Sequence, residues 1–287
     1  MSRPDFWVIQ TFNGLSYGAL LFLLASGLSL IFGVMRIVNL AHGSYFMLGG
    51  YVGLTIALRS RSFVAALLGG AVAVALIGMG MERLFLRRLK GHTLGQVLMT
   101  VGFALIFQDL ALLVWGGDPY SIPVPAALAR SFTVSGMVFS GYRLFLIALA
   151  AAVAAGLWWL LDRTRVGALV RAAVDDAEMA QGVGINVPRA SLGVFALGAA
   201  LAALGGVAGG GFLGVYPGTD FEVLPYAFVV VIVGGLGSLP GAIVGSVLVG
   251  LLDNFGKALF PELSYFTLFA PMALILAVRP TGLFGRA

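Results

Sequence analysis

Long hydrophobic blocks alternate with short polar stretches along the whole chain. The blocks are continuous and rich in Leu, Ala, Val and Gly, which is typical of membrane-spanning helices, whereas transmembrane strands alternate polar and apolar positions. A helix needs about 20 residues to cross the hydrocarbon core of a bilayer. The candidate segments lie at residues 8–34, 45–58, 63–82, 97–115, 143–161, 191–213, 226–237, 240–256 and 264–278.

Three of these segments, 45–58, 226–237 and 240–256, are too short for a comfortable full crossing. Such pieces are tolerated where protein or a water-filled cavity covers their irregular backbone, so we expect half-helices or re-entrant pieces. The pattern predicts a single transmembrane domain over residues 1–287. It is an all-α integral membrane protein, a bundle of about eight (seven to nine) transmembrane helices with discontinuous or re-entrant half-helices.

The amino-acid composition is also that of an integral membrane protein. Apolar residues make up 60% of the 287 residues, charged residues 10%, and the mean hydropathy is +1.03. Soluble domains carry about 25% charged residues, so this chain cannot cover a water-facing surface. The net charge of +5 does not indicate nucleic-acid binding, because basic residues in membrane proteins mark the cytoplasmic side. With no cysteine and two histidines, we predict no metal site.

Two clusters of basic residues set the orientation. They lie at 83–90 and 163–189, and two good spans separate them, so both clusters face the same side of the membrane. The positive-inside rule makes that side the cytoplasm. The loops 116–142 and 214–225 are then predicted to face outward, with the N-terminus outside and the C-terminus in the cytoplasm.

Polar residues and glycines cluster in one unusual stretch, VNLAHGSYFMLGGYVG at 38–53. We interpret it as a discontinuous element beside a solute path, in which Asn39, His42 and Ser44 satisfy freed backbone groups. His42 has two interpretations: a proton-relay group, or a histidine that caps a half-helix or bonds a neighbouring carbonyl. The second is favoured.

The span at 97–115 adds Thr100, Gln108 and Asp109 to the candidate pathway residues. An ionisable residue within a membrane is costly and usually faces a cavity. Asp109 therefore either lines the pathway or lies close enough to the outer interface to reach water, and the second alternative is slightly favoured.

Glycines also recur at small-xxx-small spacing, which lets helix backbones approach closely in lipid and predicts tight packing. The pairs are Gly14 and Gly18, Gly49 and Gly53, Gly206 and Gly210, and Gly241 and Gly245.

The longest polar stretch, residues 162–190, is predicted to be cytoplasmic. Its middle, RAAVDDAEMAQGVGI, contains alanines that favour a short helix, and Gly182 and Gly184 that end it. A charged helix held between two spans cannot enter the bilayer, so we expect it to dock on another protein. A plain solvated loop is the alternative.

Enzymatic interpretations of this loop are weaker. A metal site of Asp175, Asp176 and Glu178 is disfavoured, because no second carboxylate pair recurs on another cytoplasmic loop. Nothing in the chain matches the phosphate-binding pattern G-x-x-x-x-G-K-[ST]. ATP hydrolysis is therefore not expected in this chain.

Several blocks, in order along nearly the whole chain, resemble the branched-chain amino acid permease family and, within it, the LivH-type subunit. Asp109 departs from the resemblance, since a neutral amide is expected there, and this leaves the charge of that pathway wall open. The matching stretches are IFGVMRIVNLAHGSYFMLGGYVG, LMTVGFALIFQDLALLVWGGDPYSIP, RAAVDDAEMAQGVGIN, FALGAALAALGGVAGG, VVVIVGGLGSLPGAIVGSVLVGLLDN and RPTGLFG.

The resemblance implies an ATP-binding-cassette (ABC) importer permease fold in a bacterial inner membrane, with a periplasmic solute-binding protein delivering branched-chain amino acids. A homologous LivM-type permease would pair with this chain, and two cytoplasmic ATPases would bind ATP and Mg²⁺, leaving this chain without a cofactor. The loop 162–190 would couple to those ATPases. The implied coupling residues are Arg171, Ala173, Asp176, Glu178, Met179, Gly182 and Gly184.

Other functions stay open at this stage. The same family is expected to include permeases for urea, short amides or other small solutes. A self-sufficient secondary carrier and a membrane-embedded enzyme are less favoured, because the only sizeable cytoplasmic feature is a docking loop and the acidic residues are scattered.

Overall fold

The computed structural model describes residues 4–285 and is mainly helical. The predicted domain of 1–287 extends past these ends, and residues 1–3 and 286–287 lie outside the described part. The helices are α1 Pro4–Met35, α2 His42–Ser60, α3 Phe63–Leu84, α4 Thr93–Trp115, α5 Ala126–Ala129, α6 Gly141–Arg163, α7 Arg165–Asp175, α8 Ala177–Gly182, α9 Val187–Gly210, α10 Thr219–Gly234, α11 Leu239–Leu259 and α12 Ser264–Val278. Two short strands, β1 Ser131–Val134 and β2 Met137–Ser140, pair antiparallel between α5 and α6.

Six of the described helices are long and apolar enough to cross a membrane: α1, α3, α4, α6, α9 and α11. The helices α2, α10 and α12 contain 19, 16 and 15 residues and pack beside them. This arrangement confirms the prediction of an all-α integral membrane bundle that combines full spans with shorter helices.

One short segment was predicted wrongly. Residues 240–256 are not a half-helix but part of α11, which has 21 residues and full spanning length. Its glycines dilute the hydropathy of the sequence, yet they let the helix pack closely on α1, where Gly250 lies against the backbone of Gly14 and Gly18. Close backbone packing therefore stabilises a span that hydropathy alone underestimates.

The central helix of the bundle is α1, with α6, α9, α10 and α11 packed around it. α9 runs antiparallel to α1, because Leu20 lies beside Gly209 while Ile31 lies beside Gly198. α4 and α6 lie at the periphery and leave most of their surface uncovered. The uncovered surface of the spanning helices is therefore largest on α4 and α6.

The connection between α1 and α2 returns into the bundle before the next helix starts. Residues 36–41 turn back, and His42 at the start of α2 lies 2.9 Å (Nε2 to O) from the carbonyl of Leu24, well inside α1. α2 therefore begins within the bundle, which agrees with the prediction of a discontinuous element here.

The polar segment 162–190 forms two helices, α7 and α8, where one short helix was predicted. Asp176 separates α7 from α8, because its backbone is extended (φ −152°, ψ 102°) and its carboxylate accepts hydrogen bonds from the first turn of α8. Nearby, Arg87 joins the end of α3 to the start of α9 by bonding Glu82 and the carbonyl of Pro188.

The loops that were predicted to face outward are joined to each other, and one of them is shorter than predicted. Tyr120 and Val215 form a β-bridge that ties the loop after α4 to the loop after α9. The outward loop predicted at 214–225 ends early, since Thr219 and Asp220 begin α10 and are only 2% exposed. The short apolar run at 226–237 concealed this earlier start, because the first turn of α10 is polar.

Candidate functional site

The polar residues at the start of α2 are fully buried. Asn39, His42 and Ser44 each have 0% exposure. The Asn39 Oδ1 atom accepts a hydrogen bond from the Ala41 amide at 3.1 Å, and so caps the turn that precedes α2. Asn39 thus satisfies one backbone amide next to the break, which is the role predicted for it. The contact between His42 Nε2 and the Leu24 carbonyl fits one form of the favoured interpretation, a histidine that bonds a neighbouring carbonyl, whereas α2 begins without a side-chain cap.

Thr100 joins the same region from α4. Its Oγ1 atom accepts a hydrogen bond from the Leu40 amide at 3.2 Å and donates to the Val97 carbonyl at 2.8 Å. Thr100 is also fully buried. The side chain therefore fixes α4 against the break between α1 and α2, although it lies 60 residues from Leu40 in sequence.

A residue absent from the sequence candidates completes the cluster. The Ser44 hydroxyl donates to Asp220 Oδ2 at 2.8 Å, and Asp220 lies in the first turn of α10 with 2% exposure. Carboxylates are stabilised near helix N-termini because the backbone amides there are partly positive. An acidic residue directly before an apolar helical run was the available sequence signal.

Three buried polar atoms of this cluster have no hydrogen-bond partner among the described residues: Asn39 Nδ2, His42 Nδ1 and Asp220 Oδ1. Buried polar groups in folded proteins are nearly always satisfied by protein, water or ligand. The cluster of Asn39, His42, Ser44, Thr100 and Asp220 therefore retains hydrogen-bonding capacity inside an apolar bundle. We call it the inner polar cluster.

The other two pathway candidates lie apart from it. Gln108 is partly buried on α4, and its amide faces Gly218 just before α10. Asp109 is exposed at the uncovered surface of α4, among exposed neighbours such as Leu105, Ile106 and Leu110. The structure thus brings together four of the six predicted pathway residues, Asn39, His42, Ser44 and Thr100. It leaves Asp109 on the exposed surface of α4.

Most of the predicted coupling residues are exposed on α7 and α8. Glu178, Gly182 and Gly184 are exposed, and Met179 is 66% exposed, an unusual position for so large an apolar side chain. Gly184 has a positive φ of 88°, which allows the tight turn after α8.

Ala173 and Arg171 have different positions from those expected of a docking face. Ala173 is 6% exposed and packs with Ala180 and Val187, so its expected exposure was wrong. Arg171 is exposed but directed back to α6, where it bonds the Leu161 carbonyl. The alternating exposure of an amphipathic helix explains the error, because one face of α7 must cover the ends of the spans.

These features define a class of membrane protein. A bundle of apolar helices, a helix that begins inside it beside buried polar groups, and an exposed helix pair between two spans are characteristic of transport proteins.

The chain belongs to the family described as branched-chain amino acid transport system / permease component, which it matches over residues 10–278. It is 30% identical to the high-affinity branched-chain amino acid transport system permease protein BraD of Pseudomonas aeruginosa, over 96% of this chain and 95% of BraD. It is 31% identical to the corresponding permease protein LivH of Escherichia coli, over 98% of this chain and 96% of LivH. Ribose import permease protein RbsC of Escherichia coli is 26% identical, over 95% of this chain and 85% of RbsC. No solved structure matches the chain.

Proposed function

We propose that the chain is a permease subunit of an ATP-driven importer and forms half of a translocation pathway for branched-chain, hydrophobic amino acids. The observation that carries the proposal is the near full-length similarity to BraD and LivH, whose names assign them to high-affinity branched-chain amino acid transport. The other half of the pathway belongs to a homologous LivM-type permease. A periplasmic binding protein delivers the solute to the outer face.

The pathway runs beside the inner polar cluster. Support comes from the helix break before α2 and from the three polar atoms there without a protein partner. Interrupted helices with free polar groups are where membrane transporters bind and pass solutes. Asn39, His42, Ser44 and Thr100 contribute to this wall, and Gln108 lies further along it, next to Gly218.

Asp109 faces the second permease subunit or a water-filled space between the two subunits. A carboxylate in contact with lipid inside a membrane is energetically unfavourable. Asp109 is nevertheless exposed on a spanning helix whose surface is largely uncovered. If a partner subunit or water covers this surface, the Asp109 carboxylate does not contact lipid.

Energy reaches the pathway through α7 and α8. Two cytoplasmic ATPases bind ATP and Mg²⁺ and dock on the exposed side of these helices, at Asp176, Glu178, Met179, Gly182 and Gly184. Arg171 and Ala173 hold the helices to the ends of the spans. In this arrangement the chain lies in a bacterial inner membrane with the coupling loop 162–190 and the C-terminus in the cytoplasm.

Reconstitution tests this function. The chain, its partner permease and the ATPases are placed in proteoliposomes with loaded binding protein outside, and uptake of labelled leucine is measured against labelled urea. We expect leucine uptake that requires ATP hydrolysis and stops with a hydrolysis-deficient ATPase. Uptake of urea alone would assign the chain to a different solute, and leucine uptake without the ATPases would identify a secondary carrier.

A further inference from the structure

A second cluster lies away from the inner polar cluster, where α1, α10 and α11 meet. The Lys257 ammonium lies 2.8 Å from Asp253 Oδ2. The same ammonium lies 5.5 Å from the ring centre of Tyr17 and 5.6 Å from that of Tyr226. The two rings are 5.9 Å apart and nearly perpendicular, at 84°. One carboxylate and two aromatic rings therefore surround a primary ammonium.

This geometry suits an ammonium ion in general. Aromatic faces attract cations electrostatically, and a nearby carboxylate adds a charge-assisted hydrogen bond. Asp253 is only 5% exposed at its side chain, so its position is fixed by packing. Lys257, in contrast, is 53% exposed at its side chain and can withdraw from the rings.

Further polar groups extend the cluster. Tyr216, in the loop before α10, donates a hydrogen bond to Glu222 Oε2 at 2.5 Å, and Glu222 is exposed. Burial and this bond to Glu222 raise the pKa of Tyr216 above its ordinary value, so its hydroxyl stays protonated and keeps Glu222 oriented. Both residues lie within electrostatic range of Tyr17. We call Tyr17, Tyr216, Glu222, Tyr226, Asp253 and Lys257 the ammonium cluster.

The exposed charges of the ammonium cluster indicate a surface that does not face lipid. Glu222 and Lys257 carry opposite charges on the open surface of the bundle, and charged side chains facing lipid are unfavourable. Lys257 lies near the C-terminal end of α11, and Tyr216 lies in the loop after α9. In the proposed orientation of the chain, both positions are on the outer side of the membrane. The cluster is therefore at the outward side of the bundle, where a solute arrives in the proposed direction of import.

We propose that the ammonium cluster binds the zwitterionic head of an α-amino acid, with Lys257 occupying the solute's place until it arrives. The solute ammonium takes the position between Tyr17, Tyr226 and Asp253, and the released Lys257 pairs with the solute carboxylate. Each charge that the exchange uncovers gains a new partner, so no isolated charge is created. This inference rests on the proposed function, because it names the chemical group by which the pathway recognises its solute.

The composition of the chain permits a direct test. Lys90 and Lys257 are the two lysines of the sequence, and Lys90 lies in the connection between α3 and α4, which contributes no residue to the cluster. In the purified full-length chain, labelled with ¹⁵N in the lysine side chains, NMR resolves one signal from each. Lys257 is shielded by two aromatic rings in its resting position, and Lys90 serves as the internal control.

We expect millimolar leucine to shift the Lys257 signal away from its shielded position and to leave Lys90 unchanged. 3-Methylbutylamine, which keeps the ammonium, produces a smaller shift, and 4-methylpentanoate, which lacks it, produces none. A Lys257 signal that leucine does not move, or that 4-methylpentanoate moves equally, overturns the inference.

Transport by ring variants gives a second readout. With saturating loaded binding protein, Tyr17→Phe keeps the aromatic face and retains uptake, whereas Tyr17→Leu lowers uptake about tenfold. Tyr120→Leu, in the outer loop but outside the cluster, is the matched control. If the wild type imports leucine and Tyr17→Leu is fully active, the ammonium cluster does not bind the solute, but the proposed function stands. If the wild type does not import leucine, the proposed function itself is wrong.

Discussion

The Ser44 hydroxyl donates a hydrogen bond to the Asp220 carboxylate at 2.8 Å, although the two residues are 176 positions apart. The bond joins the first turns of α2 and α10, both of which begin inside the bundle. Helix N-termini favour negative charge, and the Asp220 carboxylate lies in the first turn of α10 and bonds a side chain in the first turn of α2. The relationship explains how two helices can begin at buried positions without leaving their first turns unsupported.

Removal of the Ser44 hydroxyl should destabilise the bundle. Hydrogen bonds to charged groups contribute about 2 kcal/mol, and Ser44→Ala leaves the buried Asp220 without this donor. We expect a clear drop in the thermal unfolding midpoint in detergent. Asp220→Asn should lose less, because an amide oxygen still accepts from Ser44.

Ser16→Ala is the matched control for this variant. Ser16 is equally buried, but its hydroxyl donates to the Asn13 carbonyl of its own helix. Its loss should cost less than about 1 kcal/mol. If Ser16→Ala and Ser44→Ala lowered the thermal unfolding midpoint equally, the bond to Asp220 would contribute no more to stability than a hydrogen bond within one helix.

Gly250→Ala should disrupt the contact between α1 and α11. A Cβ atom at this position would lie 2.5 Å from the Gly14 carbonyl oxygen and from the Gly18 backbone, and neither can move without shifting α1. Overpacking of this kind costs about 1–3 kcal/mol. Gly156→Ala on α6 is the control, since nothing lies within 4 Å of the added carbon. We expect the first variant to unfold at lower temperature and the second to match or exceed the wild type, as measured by heating in detergent.

Replacement of Arg87 should lower the stability of the fold, even when the replacement is lysine. Its guanidinium donates to both carboxylate oxygens of Glu82, at 3.2 and 2.9 Å, and to the Pro188 carbonyl at 3.1 Å. Lysine cannot reproduce this fork, so Arg87→Lys should lose about 1–2 kcal/mol, and Arg87→Ala should lose more because Glu82, at 2% exposure, remains buried and unpaired.

The neighbouring Arg88→Lys is the control for Arg87, because Arg88 is exposed. Unfolding by heat in detergent compares the variants. If Arg87→Lys and Arg88→Lys were indistinguishable, the clamp between α3 and α9 would not contribute to stability.

Hydrophobic length predicted the helices well, because a bilayer requires continuous apolar runs and the chain supplies them. Hydrophobic length underestimated α11, because Gly241, Gly245 and Gly250 lower the hydropathy of this helix. The same glycines allow close backbone packing, which stabilises the helix in the bundle. Hydrophobic length also started α10 too late, because the polar first turn is buried by a partner distant in sequence. Long-range pairing of this kind leaves no trace in a local hydropathy pattern.

The candidate site could be predicted only in part, because local sequence shows polar residues within an apolar run but not their distant partners. Asn39, His42 and Ser44 stood out because polar residues interrupt an apolar run, and they lie together in the structure. Asp220 was missed, since its role depends on Ser44, and Asp109 was selected by charge although it lies on an exposed surface. The ammonium cluster escaped notice because its six residues come from three helices and a loop.

Asp176 lies on the proposed docking side, and we predict that it supports docking by capping α8 rather than by contacting the ATPase through its charge. Its carboxylate accepts hydrogen bonds from the Glu178 and Met179 amides at 3.0 and 2.9 Å, which caps the six-residue helix α8. Loss of such a cap costs about 1 kcal/mol, which is large for so short a helix. Asp176→Ala should therefore unfold α8 locally and lower both ATP-driven uptake and the stimulation of ATPase activity by loaded binding protein.

Conservative variants separate the cap from the charge. Asp176→Asn and Asp176→Ser keep an acceptor for the two amides and should retain most of the stimulation, whereas Asp176→Ala should not. Hydrogen exchange of the amides of 177–182 should rise only in the alanine variant, while spans such as α1 stay protected. Glu178→Gln changes an exposed charge without touching the cap. If Asp176→Asn uncouples as strongly as Asp176→Ala while exchange of α8 is unchanged, the charge of Asp176 contacts the ATPase directly and the capping role is not what couples the subunits.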